Sequence, residues 1–74
     1  MNPLKKVMEI RNYTYQELGE ILGITRQAVY NICYNYSKPS AKVILLMLIA
    51  FKRYITPLEC YNYYFLNNND TSSV

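Results

Sequence analysis

Apolar residues recur along this chain at helical spacing, and the breaks between runs fall on residues that cap or stop helices. Leu4, Val7 and Met8 stand at i, i+3 and i+4, behind Asn2 as N-cap and Pro3 in the first turn. Asn12 suits the left-handed position that ends this first helix. Thr14 and Glu17 have the spacing of a capping box, with Tyr13 placed to staple onto Leu18. Leu18, Ile21 and Leu22 are the expected inner face of helix 2, and Gly23 its stop. Thr25 caps a third helix whose buried face is Val29, Ile32 and Cys33, ended by Asn35. After the loop Tyr36–Pro39, Ser40 caps a fourth helix from Ala41 to about Tyr54. Its centre, 43–51, is apolar nearly all round, which predicts burial on more than one side. Thr56 and Glu59 form a second capping box, around Pro57, and start a short fifth helix carrying Leu58, Tyr61 and Phe65. The pattern therefore predicts an all-α domain of five helices over 1–66, with 67–74 as a loose polar tail.

The spacing within 14–32 is the most informative. A helix of about two turns ends at Gly23, and another begins two residues later, so the two must cross steeply through a short turn. A close crossing needs a small side chain at the contact, and Gly19 supplies it. Between the apolar positions, the outer face of helix 3 is polar: Thr25, Arg26, Gln27, Tyr30 and Asn31.

The segment TYQELGEILGITRQAVYNI, 14–32, resembles the Cro/phage-repressor helix-turn-helix family. Asn35, Pro39-Ser40 and Ile55-Thr-Pro-Leu-Glu59 continue the likeness, which covers 4 to about 66. The resemblance implies a lambda-repressor-like fold whose third helix enters the major groove of double-stranded DNA. It puts base reading on Arg26, Gln27 and Asn31, with Tyr30 beside them. It puts phosphate contacts on Thr14, Tyr15, Gln16 and Ser40 at helix N-termini, with Thr25, Tyr36, Ser37, Lys38 and Lys42 as further candidates. The same residues also fit an ordinary solvated face, and Tyr30, Tyr34 and Tyr36 fit packing over helix 3 as well as stacking on sugars.

Three departures from the family pattern stand out. Tyr15 occupies the place of the usual DNA-clamping Gln, and Gly19 that of the usual Ala, at a cost of about 1 kcal/mol in helix propensity. Met8 and Cys33 stand where members often pair Arg with Glu, which predicts an apolar contact between them.

Composition narrows the function. With 74 residues there is room for one domain. Net charge is +3, and no acid lies between Thr25 and Tyr54, where Arg26, Lys38, Lys42, Lys52 and Arg53 cluster. With no His and two Cys, Cys33 and Cys60, no zinc site is expected, nor a cofactor or small-molecule ligand. Cys33 reads as core and Cys60 as half-exposed; two free thiols suit a reducing cytosol. The apolar run 43–51 is too short to span a bilayer, Met1–Pro3 opens no signal peptide, and a cytoplasmic protein is expected. The chain has no paired nucleophile and base and no Gly-rich phosphate loop, so enzyme activity is not expected.

The aromatic cluster Tyr61, Tyr63, Tyr64 and Phe65 is too large for a domain of this size to bury. It predicts a homodimer through Ile55, Pro57, Leu58, Tyr61, Tyr64 and Phe65. Such a dimer would set two reading helices roughly 34 Å apart on a pseudo-palindromic site. The expected function is a Cro-type transcriptional repressor. A toxin-neutralising autorepressor and a protein-binding module that lost DNA binding are the alternatives.

Overall fold

The computed structural model describes residues 1–66; the tail expected at 67–74 lies outside the described residues. The fold is all-α. The helices are α1 (Pro3–Arg11), α2 (Tyr15–Leu22), α3 (Arg26–Cys33), α4 (Ala41–Ala50) and α5 (Pro57–Tyr61), and α5 runs on into a π-helical turn, Asn62–Leu66. No helix among the described residues is long and apolar enough to cross a membrane.

Each helix begins at the predicted cap. The side chains of Asn2, Thr14, Thr25, Ser40 and Thr56 all accept backbone N–H groups of the following first turn. Both capping boxes are closed, by Glu17 and Glu59. The stops are equally local: Asn12, Gly23 and Asn35 have φ of 59°, 71° and 66°, the left-handed conformation Gly and Asn tolerate best.

Leu4 and Val7 of α1, Leu18 and Leu22 of α2, Val29 and Ile32 of α3, and Val43 and Met47 of α4 converge in one core. A fully buried side chain such as Leu18 contributes about 1.5–3 kcal/mol of transfer free energy. Cys33 is part of this core, and Met8 is partly buried against the core cluster as a whole.

Among the described residues the Asn2 amide is buried against this core, and both its ends are partnered. Asn2 Oδ1 accepts the N–H groups of Leu4 and Lys5, at 3.0 and 3.3 Å, and the Tyr64 hydroxyl at 2.8 Å. Asn2 Nδ2 donates to the Ile32 carbonyl at 2.7 Å and to Asn35 Oδ1 at 3.2 Å. Tyr63 donates to the same Asn35 oxygen at 3.0 Å. One amide thus ties the start of α1, the end of α3 and the C-terminal turn together. Lys6 and Glu59 add an ion pair between α1 and α5.

Several expectations need correction. The fourth helix stops at Ala50, and Phe51–Tyr54 is a turn. Val43 and Met47 are buried, Ile44, Leu46 and Leu48 pack partly buried on either side of them, and Leu45 and Ile49 face solvent at 58% and 64% exposure. Ile21 is exposed at the rim of α2, because the crossing with α3 and α4 covers only Leu18, Gly19 and Leu22. Cys60 is fully buried. Tyr64 and Ile55, expected at a dimer surface, are 3% and 2% exposed, so both are core residues. Tyr64 turns inward because its hydroxyl is needed at Asn2. Tyr13 packs its ring 5.9 Å from Phe51.

Candidate nucleic-acid interface

The turn between α2 and α3 is set by backbone contact. The Ile24 N–H donates to the Gly19 carbonyl at 2.9 Å. A Cβ on Gly19 would lie 2.6 Å from the Ile24 carbonyl oxygen and 3.3 Å from the Thr25 carbonyl carbon. The helices cross this closely because nothing projects from Gly19. The interior face of α3 is held by Val29, Ile32 and Cys33, which leaves the opposite face to solvent.

On that outer face Arg26, Gln27 and Tyr30 are exposed and Asn31 is half-buried. Gln27 Nε2 donates to Asn31 Oδ1 at 3.1 Å, across one helical turn. A shallow hollow lined by Tyr15, Arg26, Gln27 and Tyr30 opens beside them. Around Tyr30 the rings of Tyr15, Tyr34 and Tyr36 lie with centroids 5.7, 4.8 and 6.2 Å away. Lys5 Nζ stands 4.5 Å from the centre of the Tyr34 ring. The Tyr15 hydroxyl donates to that of Tyr34 at 3.4 Å; this bond, then burial, pushes its pKa up to about 12. Tyr15 therefore remains a neutral hydroxyl throughout the physiological range.

The expected phosphate contacts flank this face. Thr14, Thr25 and Ser40 use their hydroxyl oxygens as caps, accepting from Glu17, Ala28 and Val43. Their side chains therefore orient the first turns, where backbone N–H groups without intrahelical acceptors are free to bind anions. Gln16 is exposed and donates to Glu20 at 3.2 Å. Tyr36, Ser37, Lys38 and Lys42 are exposed, in the 34–40 loop and the start of α4. The amides of Tyr36 and Ser37 donate to the Asn31 carbonyl at 2.8 and 3.2 Å, fastening that loop to the end of α3. Lys38 Nζ also lies 6.0 Å from the centre of the Phe65 ring. The basic side chains Arg26, Lys38, Lys42, Lys52 and Arg53 are all at the surface.

Two contributions escaped sequence reasoning. Asn2 reads as a cap alone, yet its amide also holds the last turn of α3. Lys5 and Tyr34 carry no motif; only folding brings the lysine over the ring.

Comparison with known families matches residues 4–58 to the helix-turn-helix family, which takes in α1 through the first turn of α5. No curated protein and no solved structure gives a significant match. The matched span, the capped α2–α3 pair and its close crossing agree: the chain belongs to the Cro/C1-type helix-turn-helix family of DNA-binding regulators.

Proposed function

We propose that the protein is a sequence-specific transcriptional repressor of Cro type, acting as a homodimer on a pseudo-palindromic operator in double-stranded DNA. The observation that carries this reading is the polar outer face of α3, Arg26, Gln27, Tyr30 and Asn31, held out by a rigid crossing. Arginine matches the guanine O6/N7 edge, and a carboxamide the adenine N6/N7 edge. The first turns of α2 and α4, with Tyr15, Gln16, Tyr36, Ser37, Lys38 and Lys42, grip the phosphates on either side.

The dimer rests on Leu58, Tyr61 and Phe65, which remain exposed on the outer side of α5 and its following turn. Tyr61 and Phe65 form one continuous aromatic surface, with centroids 5.8 Å apart. Pro57 borders it. Repression then follows from occupancy: a bound dimer overlapping a promoter excludes polymerase. The test is selection of bound duplexes from random DNA. Two matching half-sites about one helical turn apart support the reading, and a failure to enrich any sequence contradicts it.

A further inference from the structure

The hydrogen bond between Gln27 and Asn31 changes what each side chain presents. A free carboxamide on a surface offers a donor and an acceptor and flips readily between two orientations. Here one Gln27 Nε2 proton is taken by Asn31 Oδ1 at 3.1 Å, which fixes which end of each amide is which. Gln27 keeps its carbonyl oxygen and one N–H, an acceptor beside a donor. That pair complements the N6 donor and N7 acceptor of adenine. Asn31 has one lone pair of its oxygen engaged by Gln27 and keeps its N–H donors, which complement acceptor edges such as thymine O4 or guanine O6/N7.

The surroundings favour a shared role. Gln27 is exposed, and Asn31 lies one turn on along the same face. Roughly 6 Å separates them along the helix axis, enough to cover adjacent base pairs with a rise of about 3.4 Å. Tyr30 packs beside them against the rings of Tyr15 and Tyr34.

We infer that Gln27 and Asn31 read two neighbouring base pairs as one unit, Gln27 an adenine and Asn31 the acceptor edge beside it, with Asn31 fixing the orientation of the Gln27 amide. Asn31 is thus a positioning residue for its neighbour as well as a reader. This inference rests on the DNA-binding reading above.

The test is selection from random duplex DNA with the full chain and with the variants Asn31→Ala and Asn31→Asp, each checked for folding by circular dichroism. The wild type should enrich adenine at one position and an acceptor-bearing partner beside it. Asn31→Ala should relax both positions, each by roughly ten-fold. Asn31→Asp keeps the acceptor and loses the donors. It should retain the adenine preference while losing the neighbouring one, under a uniform loss of affinity from its charge. An adenine preference untouched by Asn31→Ala, or abolished by Asn31→Asp, overturns the pairing while leaving DNA binding intact. A wild type that enriches nothing overturns the DNA-binding reading itself, and the pairing falls with it.

Discussion

The carbonyl oxygen of Ile24 occupies the space that a side chain on Gly19 would need, 2.6 Å from where a Cβ would stand. This contact decides between two opposing effects at one residue. Alanine would gain about 1 kcal/mol of helix propensity over glycine. It would also drive α2 away from backbone atoms that have no rotamer to yield, and overpacking of this kind costs about 1–3 kcal/mol or more. Gly19→Ala is therefore expected to destabilise the protein, lowering the Tm by roughly 4–8 °C per kcal/mol of net loss. Thermal unfolding followed by circular dichroism checks this, and a raised Tm would show that the crossing has slack.

The Asn2 amide predicts a non-additive pair. Tyr64→Phe removes the hydroxyl that donates to Asn2 Oδ1 and is expected to cost about 1 kcal/mol. Asn2→Ala removes the bond to the Ile32 carbonyl and the cap on the first amides of α1, and should cost about 2–3 kcal/mol. Because both changes break the same cluster, the double variant should lose less than the sum. Urea titrations of all four proteins measure the difference.

Stability should decline in alkali. Burial pushes Cys33 and Cys60 from the ordinary 9.0 up to about 11, and it pushes Tyr64 upward as well. Groups raised in the folded state hold their protons when the unfolded chain has released them. Their contribution is complete below pH 9 and lost as pH rises towards about 11. Denaturant midpoints should hold from pH 7 to about 9 and fall from there towards about 11. The same burial predicts that neither thiol reacts with a thiol reagent until the protein unfolds.

Helix starts, and the stops at Asn12, Gly23 and Asn35, were legible in the sequence because caps and stops act over three or four residues, whereas the end of α4 at Ala50 was not. Asn2, Thr14, Gly23, Thr25, Asn35, Ser40 and Thr56 all stand where local chemistry demands. Facing was less legible. An almost wholly apolar α4 carries no periodicity to separate Met47, which is buried, from Ile49, which is not. Tyr61, Tyr64 and Phe65 look alike in sequence, and only the reach of the Tyr64 hydroxyl to Asn2 divides core from surface. On the reading face, positions follow from the turn, whereas the Gln27–Asn31 bond and the tyrosine ring cluster are products of side-chain packing.

The proposed dimer makes a separable prediction. Leu58→Ser and Tyr61→Ser alter exposed side chains, so each should change monomer stability by no more than about 0.5 kcal/mol. Both should shift sedimentation from dimer to monomer and weaken operator binding. A wild type that stays monomeric, free and on DNA, would refute the dimer.

The central claim is that the outer face of α3 reads base sequence while flanking groups hold phosphate. The most direct measurement compares binding of wild type, Arg26→Ala and Lys42→Ala to a selected duplex and to a scrambled one, across a salt series. Arg26→Ala should lose about 1–3 kcal/mol on the selected duplex and little on the scrambled one. Lys42→Ala should weaken both alike and reduce the salt slope by about one phosphate contact. Equal losses on both duplexes for Arg26→Ala, or affinity indifferent to salt, would contradict the account.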